Sequence, residues 1–351
     1  MAIASISFAC LMLIATALPL VRSDYWTFRA MEYPRLQKWV LTLAAAGLWR
    51  HFGWAGNWAD YLIGGGLALS MGYLSWQIFP YLPIASRQLK SVKQHNAASP
   101  DDQLKLLVAN VLQYNTENSR LLRYIEQLGP DIILLLETDK PWQERMAALE
   151  QSHPFTLHAP QDNTYGLLFY SRLPIHGGQI RYLVEPDIPS IKAQITLGNG
   201  ERVQVFGLHP RPPAPSESRY ATAKDQELLL VATEAAEAAL PCLVAGDLND
   251  VAWSYTTGLF QRISGLLDPR KGRGFYNTFS AKSILMRFPL DHVFCSSHFR
   301  VVRMRRLGHI GSDHFPIFIQ LHLDKRYTNG HDTPTPDESD KAEAAEKLSK
   351  L

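Results

Sequence analysis

The chain has 351 residues, a formal net charge of +2 and a hydrophobic content of 46%. The near-neutral charge argues against a dedicated nucleic-acid binder, which carries a basic block or stripe. The three cysteines, Cys10, Cys242 and Cys295, form no C-x-x-C pair and no zinc-ligand spacing. The length leaves room for more than one domain, and residues 1–86 carry much of the apolar content.

Residues 1–86 predict a membrane anchor with two or three transmembrane helices. The uncharged runs 3–21 and 61–86 are each long enough to cross a bilayer, although glycines and prolines interrupt the second. Between them, the apolar run 39–49 is bounded by a lysine and an arginine. It is either a third span, in which a flanking cation reaches the interface, or an interfacial helix. The absence of a basic segment at the amino terminus favours an uncleaved anchor over a signal peptide.

The distribution of lysine and arginine bears on orientation. With three spans, the basic segments 22–38 and 87–93 share a side of the membrane, and Arg50 stands alone on the other side. The positive-inside rule then places the rest of the chain in the cytoplasm of a multi-pass protein of the cell inner membrane. With two spans, the two basic segments conflict and the rule predicts no orientation.

The remainder divides into a polar linker at 87–103, a domain at 104–322 and a charged tail at 323–351, which we expect to be largely disordered with a short helix around Lys341–Leu348. Short apolar runs predict strands at 104–111, 131–136, 165–170, 188–197, 202–208, 241–245, 290–295 and 314–321. Helical spacing predicts helices at 115–128 and 216–239. Because strands and helices mix without a steady repeat, we expect sheets packed face to face with helices outside.

Polar clusters lie at or near the ends of these strands. They are Asn110, Glu137, His209, the run Gly-Asp-Leu-Asn-Asp at 246–250, the pair Asp291–His292, and the triplet Ser312–Asp313–His314. Side chains at strand ends converge on the rim of a sheet, where ligands bind in open α/β folds. Carboxylate oxygens suit Mg²⁺ or Mn²⁺, and phosphoester hydrolysis needs such a metal, a base for water and donors to the phosphate.

Each cluster taken alone has an ordinary structural explanation. Gly-Asp-x-Asn is a common turn sequence, and His209 before a proline is also what the end of a strand looks like. Glu137 is harder to explain in this way, because it follows five apolar residues and a buried carboxylate is costly unless it is paired or binds a metal.

In their order along residues 104–322, these clusters resemble the endonuclease/exonuclease/phosphatase (DNase I-like) superfamily. The resemblance implies a four-layer α/β sandwich built on two packed sheets and dependence on Mg²⁺ or Mn²⁺. It implies a metal site formed by Glu137, Asn110 and Asp313. One position departs from some family nucleases, which have an aspartate where this chain has Leu112; Gln113 is the candidate substitute.

The resemblance also implies the catalytic roles. Asp247 corresponds to the residue that orients or deprotonates the attacking water, and Asn249 to its phosphate-binding neighbour. His314 corresponds to the histidine that stabilises the pentacovalent phosphate, with Asp291 as its carboxylate partner. His209 corresponds to a histidine that binds the scissile phosphate.

Together these features predict a membrane-anchored, metal-dependent phosphoesterase that cleaves a phosphodiester or a phosphomonoester. The substrate is lipid-linked, a nucleic acid or a small molecule, and the anchor in the lipid bilayer favours one close to the membrane. A nuclease would use a basic groove, for which the candidates are Arg211, Arg219, Lys271, Arg273 and Arg287. The remaining alternative is a non-catalytic membrane scaffold that keeps the fold, and no protein partner is predicted.

Overall fold

The computed structural model describes residues 1–92, 99–324 and 333–350. Two sheets form the centre of the domain. Six strands pair in the order β10-β11-β1-β2-β4-β3 and five in the order β5-β6-β7-β8-β9. The strands are β1 (Gln103–Asn110), β2 (Ile132–Leu136), β3 (Phe155–Ala159), β4 (Leu167–Ser171), β5 (Ile175–Arg181), β6 (Ser190–Thr196), β7 (Arg202–Leu208), β8 (Cys242–Asp247), β9 (Asp291–Cys295), β10 (Phe299–Arg306) and β11 (Ile317–Leu323).

Helices cover the outer face of each sheet. The described residues form α1 (Ala2–Ala17), α2 (Trp26–Ala30), α3 (Arg35–Phe52), α4 (Trp58–Ile78), α5 (Ser119–Leu128), α6 (Lys140–Met146), α7 (Thr222–Glu237), α8 (Tyr255–Ser264) and α9 (Glu338–Leu348). The largest apolar cluster lies between the sheets and joins residues such as Leu134 and Val205. Further clusters pack α5 and α6 on the first sheet and α7 and α8 on the second. The predicted four-layer α/β sandwich is therefore confirmed.

The pairing of the strands brings the polar strand ends to one edge. In the first sheet β1 runs parallel to β2, so Asn110 lies opposite Leu136 and next to Glu137. In the second sheet β7 runs parallel to β8, and β9 pairs antiparallel to β8 with Asp291 opposite Asp247. The carboxyl ends of β1, β2, β7 and β8 therefore meet the start of β9 at the same rim.

The amino-terminal region forms an antiparallel bundle of three helices. Lys38 at the start of α3 donates to the carbonyl oxygen of Ala15 at the end of α1, and Trp39 donates to Ser75 at the end of α4. By length and composition, the segments Ala2–Leu20 and Trp58–Tyr81 could each cross a membrane. The third candidate, the run 39–49, lies within α3, which has 18 residues and contains both flanking cations.

The segment between α1 and α3 packs on the domain. The Arg29 guanidinium pairs with the buried Asp225 carboxylate at 2.8 Å and donates to Thr256 at 3.0 Å. The indole nitrogen of Trp253 donates to the carbonyl oxygen of Glu32, and the hydroxyl of Tyr81 donates to the carbonyl oxygen of Ala252. The ends of the bundle that hold residues 22–34 and 79–81 therefore face the domain.

The predicted linker and tail both pack on the domain where the structure describes them. In the linker, Leu89 is fully buried in the domain core and the Val92 amide donates to the Val301 carbonyl oxygen. In the tail, α9 is held on the domain by the pairs Arg262–Asp340 and Lys347–Asp225. The short helix expected around Lys341–Leu348 lies within α9, which begins at Glu338 and whose charges meet partners on α7 and α8 that lie far away in sequence. Residues 93–98 and 325–332 lie outside the described residues.

Candidate active site

Asn110 joins the metal-binding and catalytic carboxylates predicted from the sequence. Its side-chain amide donates to Glu137 Oε1 at 2.6 Å and to Asp247 Oδ2 at 3.1 Å. Burial raises the pKa of Glu137 to about 7, although the hydrogen bond from Asn110 favours the charged form. Two neighbouring carboxylates, Asp247 and Asp313, add to that rise, so negative charge is concentrated at this point.

His314 links two buried carboxylates. Its Nδ1 lies 2.8 Å from Asp291 Oδ2, and its Nε2 lies 3.5 Å from Asp247 Oδ2. Burial lowers the pKa of His314, but the charges of Asp291 and Asp247 outweigh burial and raise it to about 10. His314 is therefore an imidazolium at neutral pH. For a carboxyl group burial has the opposite effect, and it raises the pKa of Asp247. The imidazoles of His314 and His209, together with the hydrogen bonds from Asn249 and Asn110, outweigh burial and hold the pKa of Asp247 below its ordinary value.

The other predicted residues lie around this centre. His209 Nε2 is 3.9 Å from Asp247 Oδ2, and burial lowers the pKa of His209, which favours a neutral ring. The Asn249 amide N–H donates to Asp247 Oδ1, and its side chain donates to the carbonyl oxygen of Pro210. Asp313 is half-buried beside His314. The structure thus brings together all eight residues predicted from strand-end positions.

The backbone at the site adopts conformations that side chains rarely allow. Glu137 has φ of 58° and Asn249 has φ of 49°, both in the left-handed region. Gly246 has φ of 148°, and a Cβ there would lie 1.9 Å from the carbonyl oxygen of Leu208. The glycine of Gly-Asp-x-Asn is therefore required by the close approach of β7 and β8. Strained non-glycine residues of this kind cluster at functional sites.

The donor set fits a hard divalent cation. The carboxylates of Asp247 and Asp313 both raise the pKa of Glu137. All three provide the oxygen ligands that Mg²⁺ and Mn²⁺ prefer. Ligand atoms of Asp247, Asp291 and His314 also lie within 4.8 Å of one another. Within that trio, Nδ1 of His314 is already bound to Asp291.

The sequence pattern gave no role to three residues that hold the backbone of Asn249 and Asp250 in place, namely His292, Arg270 and Tyr33. His292 is buried between Arg270, 2.6 Å from its Nδ1, and the carbonyl oxygen of Asp250, 2.8 Å from its Nε2. Burial lowers the pKa of His292 to about 3, so the ring stays neutral. The hydroxyl of Tyr33 donates to the carbonyl oxygen of Asn249 at 2.8 Å. The sequence carried a signal only for His292, through its position beside Asp291.

Gln113 does not fill the place of the missing aspartate. Its side-chain nitrogen donates to the carbonyl oxygen of Asp162, and its side-chain oxygen accepts from the amide of Thr164. Both ends of the amide are therefore used to hold the 162–164 loop. The Leu112 amide instead donates to the side-chain oxygen of Asn110, which fixes the orientation of that side chain.

Four of the five basic residues considered for a nucleic-acid groove have partners within the fold, and two of them are Lys271, which donates to Gln261, and Arg287, which donates to the carbonyl oxygen of Ser280. Arg211 is bound by Glu185, Asp187 and Glu217. Arg273 donates to the carbonyl oxygens of Pro269 and Leu89 on another part of the domain. Most of this positive charge is therefore used within the fold.

Comparisons with known proteins agree with this geometry. The model of the Endonuclease/Exonuclease/phosphatase family matches residues 107–314. The structure of D. rerio TDP2 complexed with single strand DNA product is 17% identical, with a TM-score of 0.53 over 63% of this chain and 99% of that chain. The human Nocturnin catalytic domain with bound sulfate anion is 16% identical, with a TM-score of 0.52 over 68% and 97%. An endonuclease/exonuclease/phosphatase from Beutenbergia cavernae is 18% identical, with a TM-score of 0.50 over 63% and 72%. No curated protein matches.

Proposed function

The chain belongs to the endonuclease/exonuclease/phosphatase family, and we propose that it is a membrane-anchored phosphoesterase that requires Mg²⁺ or Mn²⁺. One observation carries the proposal. Glu137, Asn110, Asp247, His314 and Asp291 form a continuous chain of contacts at the rim shared by both sheets. Buried carboxylates with shifted pKa values beside an imidazolium are typical of sites that act on a charged ligand.

The proposed reaction is attack of water on phosphorus. The bond between phosphorus and the leaving ester oxygen breaks, and that oxygen takes up a proton, which gives a phosphate product and an alcohol. Asp247 orients the water and accepts its proton, for which its lowered pKa keeps it ionised. His314, held by Asp291, stabilises the negative charge that builds on the phosphoryl oxygens. His209 and Asn249 donate to the same oxygens.

In this proposal Glu137, Asn110 and Asp313 hold the divalent cation. When bound, the ion neutralises phosphate charge and polarises the phosphorus–oxygen bond. The protein holds the Asp247 carboxylate and the His314 imidazole in place through hydrogen bonds to other protein groups, which do not involve the ion.

We further propose that α1, α3 and α4 cross the membrane. Their antiparallel packing requires that α3 crosses if the other two do, and it puts residues 22–34 on the same side as the domain. Basic residues are more numerous on that side, whereas Arg50 lies at the far end of α3. The positive-inside rule then favours a cytoplasmic domain in the cell inner membrane.

The test uses the full chain in detergent. We expect hydrolysis of bis-p-nitrophenyl phosphate that stops in excess chelator and returns with Mg²⁺ or Mn²⁺. Glu137→Gln should lower kcat by at least about 10²-fold, since it removes the anionic oxygen that holds the ion. Glu144→Gln, on the exposed face of α6, is the matched control and should leave the rate unchanged.

Two results would contradict the proposal in different ways. Full activity in excess chelator would rule out the metal. Failure to hydrolyse both this diester and p-nitrophenyl phosphate with either metal would favour the non-catalytic scaffold instead.

A further inference from the structure

An exposed apolar tip projects from the domain beside the catalytic residues. We define the tip loop as residues 280–287. Ile284, Leu285 and Met286 are 80%, 77% and 55% exposed. In the described part of the chain after residue 84, no other isoleucine, leucine or methionine is exposed to this degree. Such a patch on a folded domain marks an interaction surface.

The tip loop is built directly onto the catalytic residues. At its base Phe279 and Phe288 form an antiparallel bridge, and the Phe279 ring lies 5.0 Å from the His314 ring. The Ala281 amide donates to the Asp313 carbonyl oxygen at 2.6 Å. The Asp291 amide donates to the hydroxyl of Thr278 just before the loop. A ligand bound at the tip loop is therefore held next to His314 and Asp313.

The same loop touches the helix bundle. The side-chain nitrogen of Gln37, in the first turn of α3, donates to the carbonyl oxygen of Leu285 at 2.6 Å. Four residues earlier, the Tyr33 ring packs on Phe288 at 5.6 Å while its hydroxyl donates to Asn249. The segment that leads into α3 thus lies along the catalytic rim, between the Asn249 loop and the tip loop.

We propose that the tip loop inserts into the bilayer that holds the helices, and that the substrate is a phosphoester of a membrane lipid. This proposal rests on the proposed function and on the membrane assignment of the helices. The bilayer is the occupant that the contacts favour, because Leu36 and Val40 on either side of Gln37 are 41% and 53% exposed. The apolar surface of the tip therefore continues along α3.

Charge at the tip agrees with this occupant. Lys282 is exposed at one end of the apolar triplet, and Arg287 lies at the other end, where its guanidinium is 5.1 Å from the Phe315 ring. Apolar residues flanked by cations are typical of segments that enter the interface, where the cations meet lipid phosphates. A phosphate of a lipid held at the tip would lie close to His314, because Phe279 at the base of the tip loop packs on that ring.

Insertion can be measured without activity. In a Cys10→Ser background, Leu285→Cys is labelled with a fluorophore, because the other two cysteines are buried. The full chain is placed in phosphatidylcholine vesicles with nitroxide-labelled lipids. We expect strong quenching at Leu285→Cys and little at His176→Cys, an exposed position on edge strand β5. Equal weak quenching at both positions would overturn the insertion.

Substrate class is tested with two kinds of substrate in the same vesicles. One is soluble bis-p-nitrophenyl phosphate, and the other is a panel of phosphatidylglycerol, phosphatidic acid, cardiolipin and polyprenyl phosphate. The double variant Ile284→Ser, Leu285→Ser should lose at least about tenfold in lipid hydrolysis, since it removes two apolar side chains from the bilayer. It should retain turnover of the soluble ester, and Tyr182→Ser, another exposed site, should retain both.

The outcomes separate this inference from the proposed function. If the wild-type chain cleaves the soluble ester but no lipid in the panel, or if the double variant keeps full lipid turnover, the lipid assignment fails and the phosphoesterase stands. If the wild-type chain cleaves neither kind of substrate, the proposed function fails and the substrate assignment fails with it. Quenching then still decides whether the tip enters the bilayer.

Discussion

Asp247 is the residue on which the other polar side chains of the rim converge. Asn110 donates to it, and the imidazoles of His314 and His209 approach the same oxygen. Its second oxygen accepts from the Asn249 amide. A buried carboxylate with this many partners is held in one orientation and stays ionised, which suits the acceptance of a proton from water.

The first residue-scale prediction concerns the coupling of Asp247 and His314. Asp247→Asn keeps the shape but removes the proton acceptor, and we expect kcat to fall by at least about 10²-fold. His314→Ala should cost a comparable factor. Because both groups act on one transition state, the double variant should be only modestly worse than either single variant. The measurement is kcat/KM for all three on one ester at saturating Mg²⁺.

Asp291→Asn serves as the internal control for the comparison of the two single variants with the double variant. It weakens the hold on His314 Nδ1 but leaves the imidazole in place, so its effect should be milder than that of His314→Ala. A wild-type rate in Asp247→Asn would remove Asp247 from the mechanism and leave Gly-Asp-x-Asn as a structural turn.

The second residue-scale prediction concerns Glu227, a buried carboxyl on α7 that lies outside the catalytic site. Burial raises its pKa to about 8, and Glu185 adds to the rise. The folded state then binds more protons than the unfolded state above the ordinary pKa, so this group makes stability fall as pH rises towards 8. The loss is at most about 5 kcal/mol.

Glu227→Gln removes that titration. Its thermal midpoint should exceed that of the wild-type chain at pH 8.5, and the gain should shrink towards pH 5. Thermal unfolding of the full chain in detergent at both pH values measures the difference. A gain that stays constant with pH would mean that Glu227 is ionised in the folded state.

At the scale of elements, the central strands were predictable because burial leaves a continuous apolar run. The run predicted at 202–208 is β7, and the run at 131–136 differs from β2 by one residue. Strands that are central in a sheet are covered on both faces, so their sequences are apolar without interruption. The face-to-face arrangement followed from these runs and was confirmed.

Edge strands and short helices were missed for the complementary reason. β5 contains two glycines and is largely exposed, and β10 carries four arginines. α6 has 7 residues, too short for a periodic pattern to stand out, and α8 buries the polar residues Thr256, Thr257 and Gln261, which interrupt its apolar pattern. Their existence depends on the surface that they cover, which lies elsewhere in the chain.

The site was predictable to the same extent as the strands. Its residues come directly before or after apolar runs, so the sequence itself indicates that they lie at a sheet edge. Tyr33 has no such signal, because its contact with Asn249 joins residues 216 positions apart. Arg270 lies in a loop, and only the fold brings it to His292.

For the whole molecule, the main consequence of the structure is that the amino-terminal helices pack directly on the domain. Tyr81 and Trp253 meet edge to face, with their ring centres 5.7 Å apart, across the junction of α4 and the domain. The carboxyl-terminal helix α9 adds Lys347 to the buried Asp225 that Arg29 also binds. Both ends of the chain therefore meet on α7.

The last prediction tests this junction through Arg29. Its side chain is 8% exposed and Asp225 is fully buried, so Arg29→Met leaves the carboxylates of Asp225 and Asp24 with Lys347 as their remaining cation. Removing one partner of a buried pair costs about 3–5 kcal/mol. We expect a lower thermal midpoint for the full chain in detergent, measured by calorimetry.

Two variants make the result specific to the junction. Arg50→Met, at the exposed far end of α3, should leave the midpoint unchanged. Adding Asp225→Asn to Arg29→Met should recover part of the loss, because the buried negative charge is then removed along with its partner. If Arg29→Met unfolds at the wild-type temperature, the ion pair does not hold residues 22–34 to the domain, and the proposed placement of the domain against a membrane loses this contact.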